Sequence, residues 1–233
     1  MKHFITFGAG DQNFIDAGNR LVRQAESTGK FNSAQLFTDI DLRCDLEFWS
    51  KHSDFILKNS RGYGYWIWKP YLIKKTMDGL VDGDVLLFLD AGCEIDKRFA
   101  KHFDNLFDIV KKDYIIGSQV CIERRWNKMD LIVELDALDK NYMNGLQRQG
   151  GINMFYVCDK TRDLVRCWYE LACNYHFIDD SPSVLPNFPD FREHRHDQSI
   201  FSLLTKKMGI YSKSGFGPVV RILRNISGES RLS

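Results

Sequence analysis

The chain has 233 residues, 44% of them hydrophobic and 27% charged, with a formal net charge of +1. That composition supplies one sizeable core, is short for two ordinary domains and argues against extensive disorder. The near-zero balance excludes a global basic field for nucleic acid and an acidic excess suited to buffering cations.

The predicted elements alternate short apolar runs with amphipathic segments, which reads as an α/β architecture. His3 to Phe7 is a first strand, followed by the turn Gly8-Ala9-Gly10. Phe14 to Ala25 has helical spacing, and Ser33 to Phe37 is a second strand. Leu46 to Leu57 reads as a helix. Pro70 suits a helix's first position, with Tyr71 to Met77 following. Val85 to Leu89 is the clearest buried strand. Lys97 to Val110 is helical by pattern, Tyr114 to Ile116 a short strand, and Asn127 to Leu138 a helix. Ile152 to Val157 is strand-like, and Arg162 to Tyr175 is a helix. Residues 179–195 form an irregular loop with three of the five prolines; a loop of that length is often functional. Asp197 to Met208 is the last helix, and the segment after Ser212 has weak pattern.

Six cysteines occur and none forms a CxxC pair, so a zinc ribbon or thioredoxin motif is not expected. Several lie in apolar or mixed runs and read as small buried hydrophobes; the expected compartment is reducing, and the expected location is cytoplasmic. MKHFITFGAGDQ is too short an apolar run for a signal peptide, and no apolar stretch approaches membrane-spanning length. ITFGAGD superficially matches a dinucleotide loop, but position 13, where a third glycine belongs, is Asn13, so a nicotinamide enzyme is discounted.

Four stretches carry candidate chemistry. The strand Val85–Leu89 ends on Asp90-Ala91-Gly92. In open α/β sheets ligands gather at the carboxyl ends of strands. There Asp90 is a hard oxygen ligand for a divalent cation on phosphates, or else the cap of its own turn. SRGYGYWIWKPY, residues 60–71, packs five aromatic residues with Arg61 and Lys69. It reads as a diphosphate and ring-stacking site or as core filling round a glycine bend. In QRQGGINMF, Gly150 and Gly151 precede a strand and allow close backbone approach or a tight turn. In FREHRHDQSIF, Asp197 is a general base or a helix N-cap, and His194 or His196 is a further metal ligand.

Together, RGYGYWIWKPY, the strand ending in DAG, QRQGG and EHRHDQSIF resemble small GT-A-type glycosyltransferases. These are similar to surface-polysaccharide enzymes and to the rhamnosyltransferase domain of large algal viruses. The order of motifs runs from the first strand to about residue 210. The resemblance implies a Rossmann-like domain with a central mixed, mostly parallel sheet flanked by helices. It implies one catalytic domain over 1–225, with a nucleotide-sugar-binding half at about 1–117 and an acceptor half at 118–225. Residues 226–233 are expected as a flexible tail. It implies a hexosyl- or deoxyhexosyltransferase of polysaccharide synthesis, using a nucleotide-diphosphate sugar, UDP-type first, and a glycan acceptor. Mn²⁺ or Mg²⁺ is the implied cofactor. The family's DxD maps onto Asp90-Ala91-Gly92 and lacks its second aspartate, so water, the diphosphate or Glu94 would complete the metal shell. Thr6, Phe7 and Gly8 would border the nucleobase. Arg61 and Lys69 would face the phosphates, and Gln149, Gly150 and Gly151 would lie near donor sugar and acceptor. Asp197 would be the base. The basic end, RILRNISGESRLS, reads as solvated, with peripheral membrane contact through Arg221, Arg224 and Arg231 as the alternative. No nucleic-acid partner is expected. The competing readings are an Asp-dependent phosphohydrolase, for which Gly92 stands where a second Asp belongs, and a carbohydrate-binding module stacking sugars on Tyr63, Tyr65, Trp66 and Trp68.

Overall fold

The computed structural model describes residues 1–212 and 214–232. Its centre is a five-stranded sheet built from β1 (Lys2–Gly8), β2 (Ser33–Thr38), β3 (Val85–Leu89), β5 (Ile115–Ile122) and β6 (Leu146–Tyr156). β4 (Cys93–Ile95) and β7 (Val220–Ile222) form a separate antiparallel pair. The order across the main sheet is β2-β1-β3-β6-β5. β1 pairs in parallel with β2 and β3, while β6 is antiparallel to both β3 and β5. Four of the five strands therefore run in one direction, with β6 reversed, and the mixed, mostly parallel sheet is as expected.

The residues of β3, VLLFL, include no polar side chain, and every one is buried. Their period-two alternation feeds two cores. Leu86 and Phe88 pack with Phe7, Trp68, Trp168 and Phe201 on one face. Val85, Leu87 and Leu89 pack with Leu21, Phe103 and Phe107 on the other. Burying each such side chain contributes about 1.5–3 kcal/mol, which fixes how far β3 extends and where Asp90 emerges. Helices Leu46–Lys58, Trp68–Asp78, Asp159–Ala172 and His196–Met208 cover the first face, and Gln12–Ser27 and His102–Asp113 the second.

Several boundaries differ from the sequence reading. Gly150 and Gly151 lie inside β6 rather than before it, because that strand continues through the polar run Gln147–Gly151 against an irregular, register-shifted β5. The helix expected at 127–138 is only Met129–Glu134, closed by Asp136 with φ 46°. The segment from Lys97 breaks into a short 3₁₀ turn before the helix His102–Asp113. Pro70 is the third residue of its helix, not the first. The segment expected as a flexible tail makes contacts: Ser230 and the Arg231 N–H bond to Glu94, and Arg20 donates to the Ser227 carbonyl. No helix among the described residues is long and apolar enough to cross a membrane.

Candidate active site

Asp90 stands at the carboxyl end of β3. Its backbone is fully employed: Asp90 N donates to the Gly151 carbonyl (2.8 Å), and its own carbonyl accepts from Cys93 N (2.9 Å), closing the turn. The carboxylate takes no part in that turn. It is 44% exposed and lies 3.1 Å from the Lys69 ammonium. The side chain thus faces a cleft, which separates it from the turn-capping reading. Gly151 is required beside it, since a Cβ there would sit 2.0 Å from Asp90 Oδ2.

Lys69 reaches this point from the helix Trp68–Asp78 and is buried. Its second partner is Asp197 Oδ2 at 3.7 Å. Burial opposes the ammonium, but Asp197 and Asp90 together hold its pKa above the ordinary lysine value. Asp197 belongs to the helix His196–Met208, whose N-cap is Arg195, so the N-cap reading of Asp197 is corrected. Its Oδ2 is buried with no hydrogen-bond partner among the described residues. Burial pushes its pKa up to about 7; Lys69 opposes the rise and the negative Asp90 adds to it. Trp168 Nε1 donates to the Asp197 carbonyl (2.8 Å) and pins the backbone. A carboxyl group balanced near neutrality is suited to accept a proton from a hydroxyl. Unpaired buried acceptors are costly, so Oδ2 is a natural partner for a substrate donor.

The segment Gly62–Trp66 gives the cleft its aromatic wall. All five residues have positive φ: 59°, 53°, 81°, 50° and 62°. They make one left-handed turn, with Tyr65 N bonded to Arg61 O (2.8 Å) and Trp66 N to Gly62 O (3.1 Å). Left-handed helical backbone costs about 1–2 kcal/mol per non-glycine residue, so Tyr63, Tyr65 and Trp66 hold strain here. Gly62 and Gly64 accept the conformation at little cost, and each also lacks room for a Cβ, against the Trp66 ring (2.5 Å) and Ile56 (2.6 Å). Trp68 Nε1 ties back to the Gly62 carbonyl (2.9 Å), and its ring stacks on Phe7 at 3.9 Å.

Two cavities meet at this place. A polar one of about 390 Å³ is lined by Lys69, Asp90, Gln149, Gly151, His196 and Asp197, among others. An aromatic one of about 560 Å³ is lined by Phe7, Phe14, Tyr63, Trp66 and Trp68, with Ala91. Trp66, Asp90 and Gly92 line both. Gln149 and Asp197, which line the polar lobe, each carry a buried oxygen, Oε1 and Oδ2, without a hydrogen-bond partner among the described residues.

The structure therefore brings together most of the expected residues. Gly150 sits behind Asp197, its would-be Cβ 3.1 Å from Asp197 Oδ2. Thr6 does not line either cavity; it is fully buried and its hydroxyl donates to the Leu89 carbonyl (2.7 Å), joining β1 to β3. Gly8 serves packing, since a Cβ there would meet the Phe14 carbonyl at 2.3 Å. Arg61 lies outside both linings and is ion-paired to Asp180 (2.9 Å) and Glu193 (2.5 Å), which corrects its assignment to the phosphates.

His194 is corrected as a metal ligand. Its Nδ1 accepts from Lys128 N (3.1 Å) and its Nε2 donates to the Phe177 carbonyl (2.8 Å), so both nitrogens are used. Burial takes its pKa down to about 3, keeping it neutral. His196 does line the cleft, but its Nε2 is bonded to Asp180 (3.0 Å) and its ring stacks on Tyr65. Glu94 is fully buried, bonded to Asn225, Gln24 and Ser230, and lies outside the cleft lining. Among the described residues no group of three or more His, Cys, Asp or Glu is arranged to hold a metal. What the cleft does offer is the exposed Asp90 carboxylate. That fits a hard divalent cation only where substrate oxygens supply most of its shell. The loop 179–195 is tied down by Lys128–Asp179 (2.8 Å), by Asp130 to the N–H groups of Val184 and Leu185, and by Asn187 to Met129 N; of its residues only Arg195 lines the polar cavity.

Residues to which the sequence analysis assigned no role in the site also contribute. Gln198 accepts from Gly150 N (3.3 Å) and donates to Gln147 (2.6 Å), bracing β6 against the last helix. Arg224 enters the polar cavity from a segment without periodic pattern. The sequence analysis names it only for a solvated end or peripheral membrane contact, whereas it lines the cleft.

No protein-family model matches the sequence, and no curated protein matches it significantly. Among solved structures the chain is similar to mouse xyloside xylosyltransferase 1 in its apo form. The TM-score is 0.48 at 10% identity, over 91% of this chain and 84% of that one.

Proposed function

We propose that this protein is a glycosyltransferase that moves a sugar from a nucleoside-diphosphate donor, UDP-type first, to a hydroxyl of a glycan acceptor. The observation that carries the reading is the pair of joined lobes: an aromatic cavity and a polar cavity meeting at Asp90, with Lys69 and Asp197 behind it. The aromatic lobe suits a nucleobase and ribose, by stacking. The shared boundary suits a diphosphate, and the polar lobe suits the donor sugar and the acceptor hydroxyl.

Transfer breaks the bond between the anomeric carbon and a diphosphate oxygen. Charge grows on the leaving group, and the sugar gains oxocarbenium character. Asp197 takes the proton of the attacking hydroxyl. Lys69 keeps two neighbouring carboxylates compatible and presents positive charge to the same region. Asp90 is the residue to hold a divalent cation, which when bound supplies charge neutralisation of the diphosphate. On this reading strands β1–β3 belong to the donor half, while β6 and the last helix carry the acceptor half. A phosphohydrolase would have no use for the aromatic lobe, and a sugar-binding module none for a buried carboxyl raised toward neutrality beside a buried ammonium.

The test is a panel of nucleotide sugars and nucleoside diphosphates, assayed for thermal shift and donor hydrolysis with and without Mn²⁺. A stabilising nucleoside diphosphate, aided by Mn²⁺, and slow release of free sugar are the expected outcomes. No shift and no release with any donor would remove the proposal.

A further inference from the structure

We infer that Arg224, on the strap after β7, is the cation that receives the donor's diphosphate; this rests on the nucleotide-sugar reading above. Other positive charges near the cleft are already committed. Lys69 has two carboxylates, Asp90 at 3.1 Å and Asp197 at 3.7 Å. Arg195 lies over the Trp126 ring (4.0 Å) and 4.0 Å from Glu193. Arg61, the sequence candidate for this task, is held by Asp180 and Glu193 outside the cleft. Arg224 is exposed, lines the polar cavity with Asp90 and Gly92, and has no carboxylate at ion-pair distance among the described residues. A free guanidinium suits phosphate oxygens because its planar fork matches them two at a time.

Its placement is also built. A Cβ on Gly92 would come 3.2 Å from Arg224 Cα, so the strap lies directly on the Asp90 turn, and Asn225 N donates to the Gly92 carbonyl (3.0 Å). One guanidinium spans both: Arg20 donates to Ala91 O (2.8 Å) and Cys93 O (2.9 Å) on the turn and to Asn225 O (3.1 Å) on the strap. Glu94 accepts from Asn225 Nδ2 (2.7 Å) and Arg231 N (2.9 Å). Arg224 itself has φ 50°, a conformation an arginine adopts only where its surroundings impose it. Arg20 and Glu94 thus fix the backbone that carries the Arg224 side chain relative to Asp90. The segment that reads as a solvated or membrane-touching tail is a wall of the site.

The experiment is calorimetric titration of the full chain with UDP, GDP, TDP and inorganic pyrophosphate, at constant Mn²⁺. It compares wild type, Arg224→Ala, Arg224→Gly and the control Arg221→Ala, an exposed β7 residue outside the cleft lining. Loss of hydrogen bonds to a charged group weakens binding by about 10- to 100-fold, and that is expected for pyrophosphate and the preferred nucleotide in both Arg224 variants. Arg221→Ala should bind as wild type. Arg224→Gly relieves the left-handed backbone and should melt no lower than wild type, so its binding loss cannot be unfolding. Nucleotide and pyrophosphate affinities within twofold of wild type in both variants overturn the inference while the nucleotide-sugar reading stands. Arg224-dependent pyrophosphate binding with no nucleotide bound sustains the anion site and removes the nucleotide reading. A wild type that binds no phosphate ligand overturns both.

Discussion

Adding one methyl group at Gly151 should disable the site while leaving the fold in place. An ideal Cβ there lies 2.0 Å from Asp90 Oδ2 and 2.6 Å from its Cγ, where real contacts stay beyond 3.0 Å. The carboxylate must therefore retreat by about 1 Å. It can do so, because it is the half-exposed end of a side chain and not backbone, and Gly151 is not in a left-handed conformation. The strain on the fold should be about 1 kcal/mol, a melting shift of about 2–4 °C for a chain of this size. The chemistry is less forgiving: a misplacement of about 1 Å can cost about 100-fold in rate. Gly151→Ala should thus lose about two orders of magnitude in kcat/KM for transfer and lose the Mn²⁺-linked part of nucleotide stabilisation. The control is Gly79→Ala, where the nearest atom is 3.6 Å away. It should be silent in both assays. A Gly151→Ala protein with more than half of wild-type kcat/KM would refute the reasoning that Asp90's position decides activity. A melting loss above about 10 °C would show that the backbone, not the carboxylate, had yielded.

Asp197→Asn should lower kcat by about 100-fold or more with donor affinity within about twofold, read by single-turnover kinetics against nucleotide titration. Wild-type kcat/KM should rise with pH and level off above about 7, as the Asp197 proton leaves. Lys69→Met, which removes the opposing positive charge, should move that limb upward by about one pH unit or more; an unmoved limb would assign it to another group. Stability should show the same proton with its own sign. The folded carboxyl holds its proton up to about 7 while the unfolded one releases it in the ordinary carboxylate range, so rising pH between these values costs the folded state. Denaturant melts of wild type should fall across that window relative to Asp197→Asn; parallel curves would contradict the burial argument. His194→Ala should destabilise the protein by about 1–3 kcal/mol, since Lys128 N and the Phe177 carbonyl lose their partner, with no change in Mn²⁺ affinity at equal folded fraction.

The sequence made the sheet's centre and Asp90 legible because β3 is apolar at every position and then stops abruptly at a carboxylate. Such a signal is local and strong. The first half of β6 was not legible, because Gln147 to Gly151 carry no alternating apolar face and are held instead by Gln198 and the backbone of β3's turn. The HxH spacing was ambiguous for a similar reason. His194 and His196 are two residues apart, but the left-handed φ of 54° at His196 sends the pair to different tasks, one inside the protein and one at the cleft. Arg224 was least legible. Its brace is Arg20, which donates to carbonyls more than 200 positions away, and a carbonyl leaves no trace in residue identity.

Backbone strain is concentrated round the cleft. Among the described residues seven non-glycine positions have positive φ, and four of them, Tyr63, Trp66, His196 and Arg224, line the two joined cavities. Each such conformation is held against its own preference by about 1–2 kcal/mol, within a net folding stability of only about 5–15 kcal/mol. Random drift would scatter such positions over surface turns, where the penalty is easily relieved by Gly or Asn. Their concentration round Asp90 follows if the wall positions are dictated by what the cleft must hold. The left-handed turn at 62–66 turns Tyr63 and Trp66 toward the aromatic lobe and delivers the chain into the helix Trp68–Asp78, so that Lys69 arrives between Asp90 and Asp197. A right-handed path through the same five residues would reverse the chain's sense of turning and could not make both placements at once. The strain, the aromatic wall and the buried ammonium are therefore one structural decision.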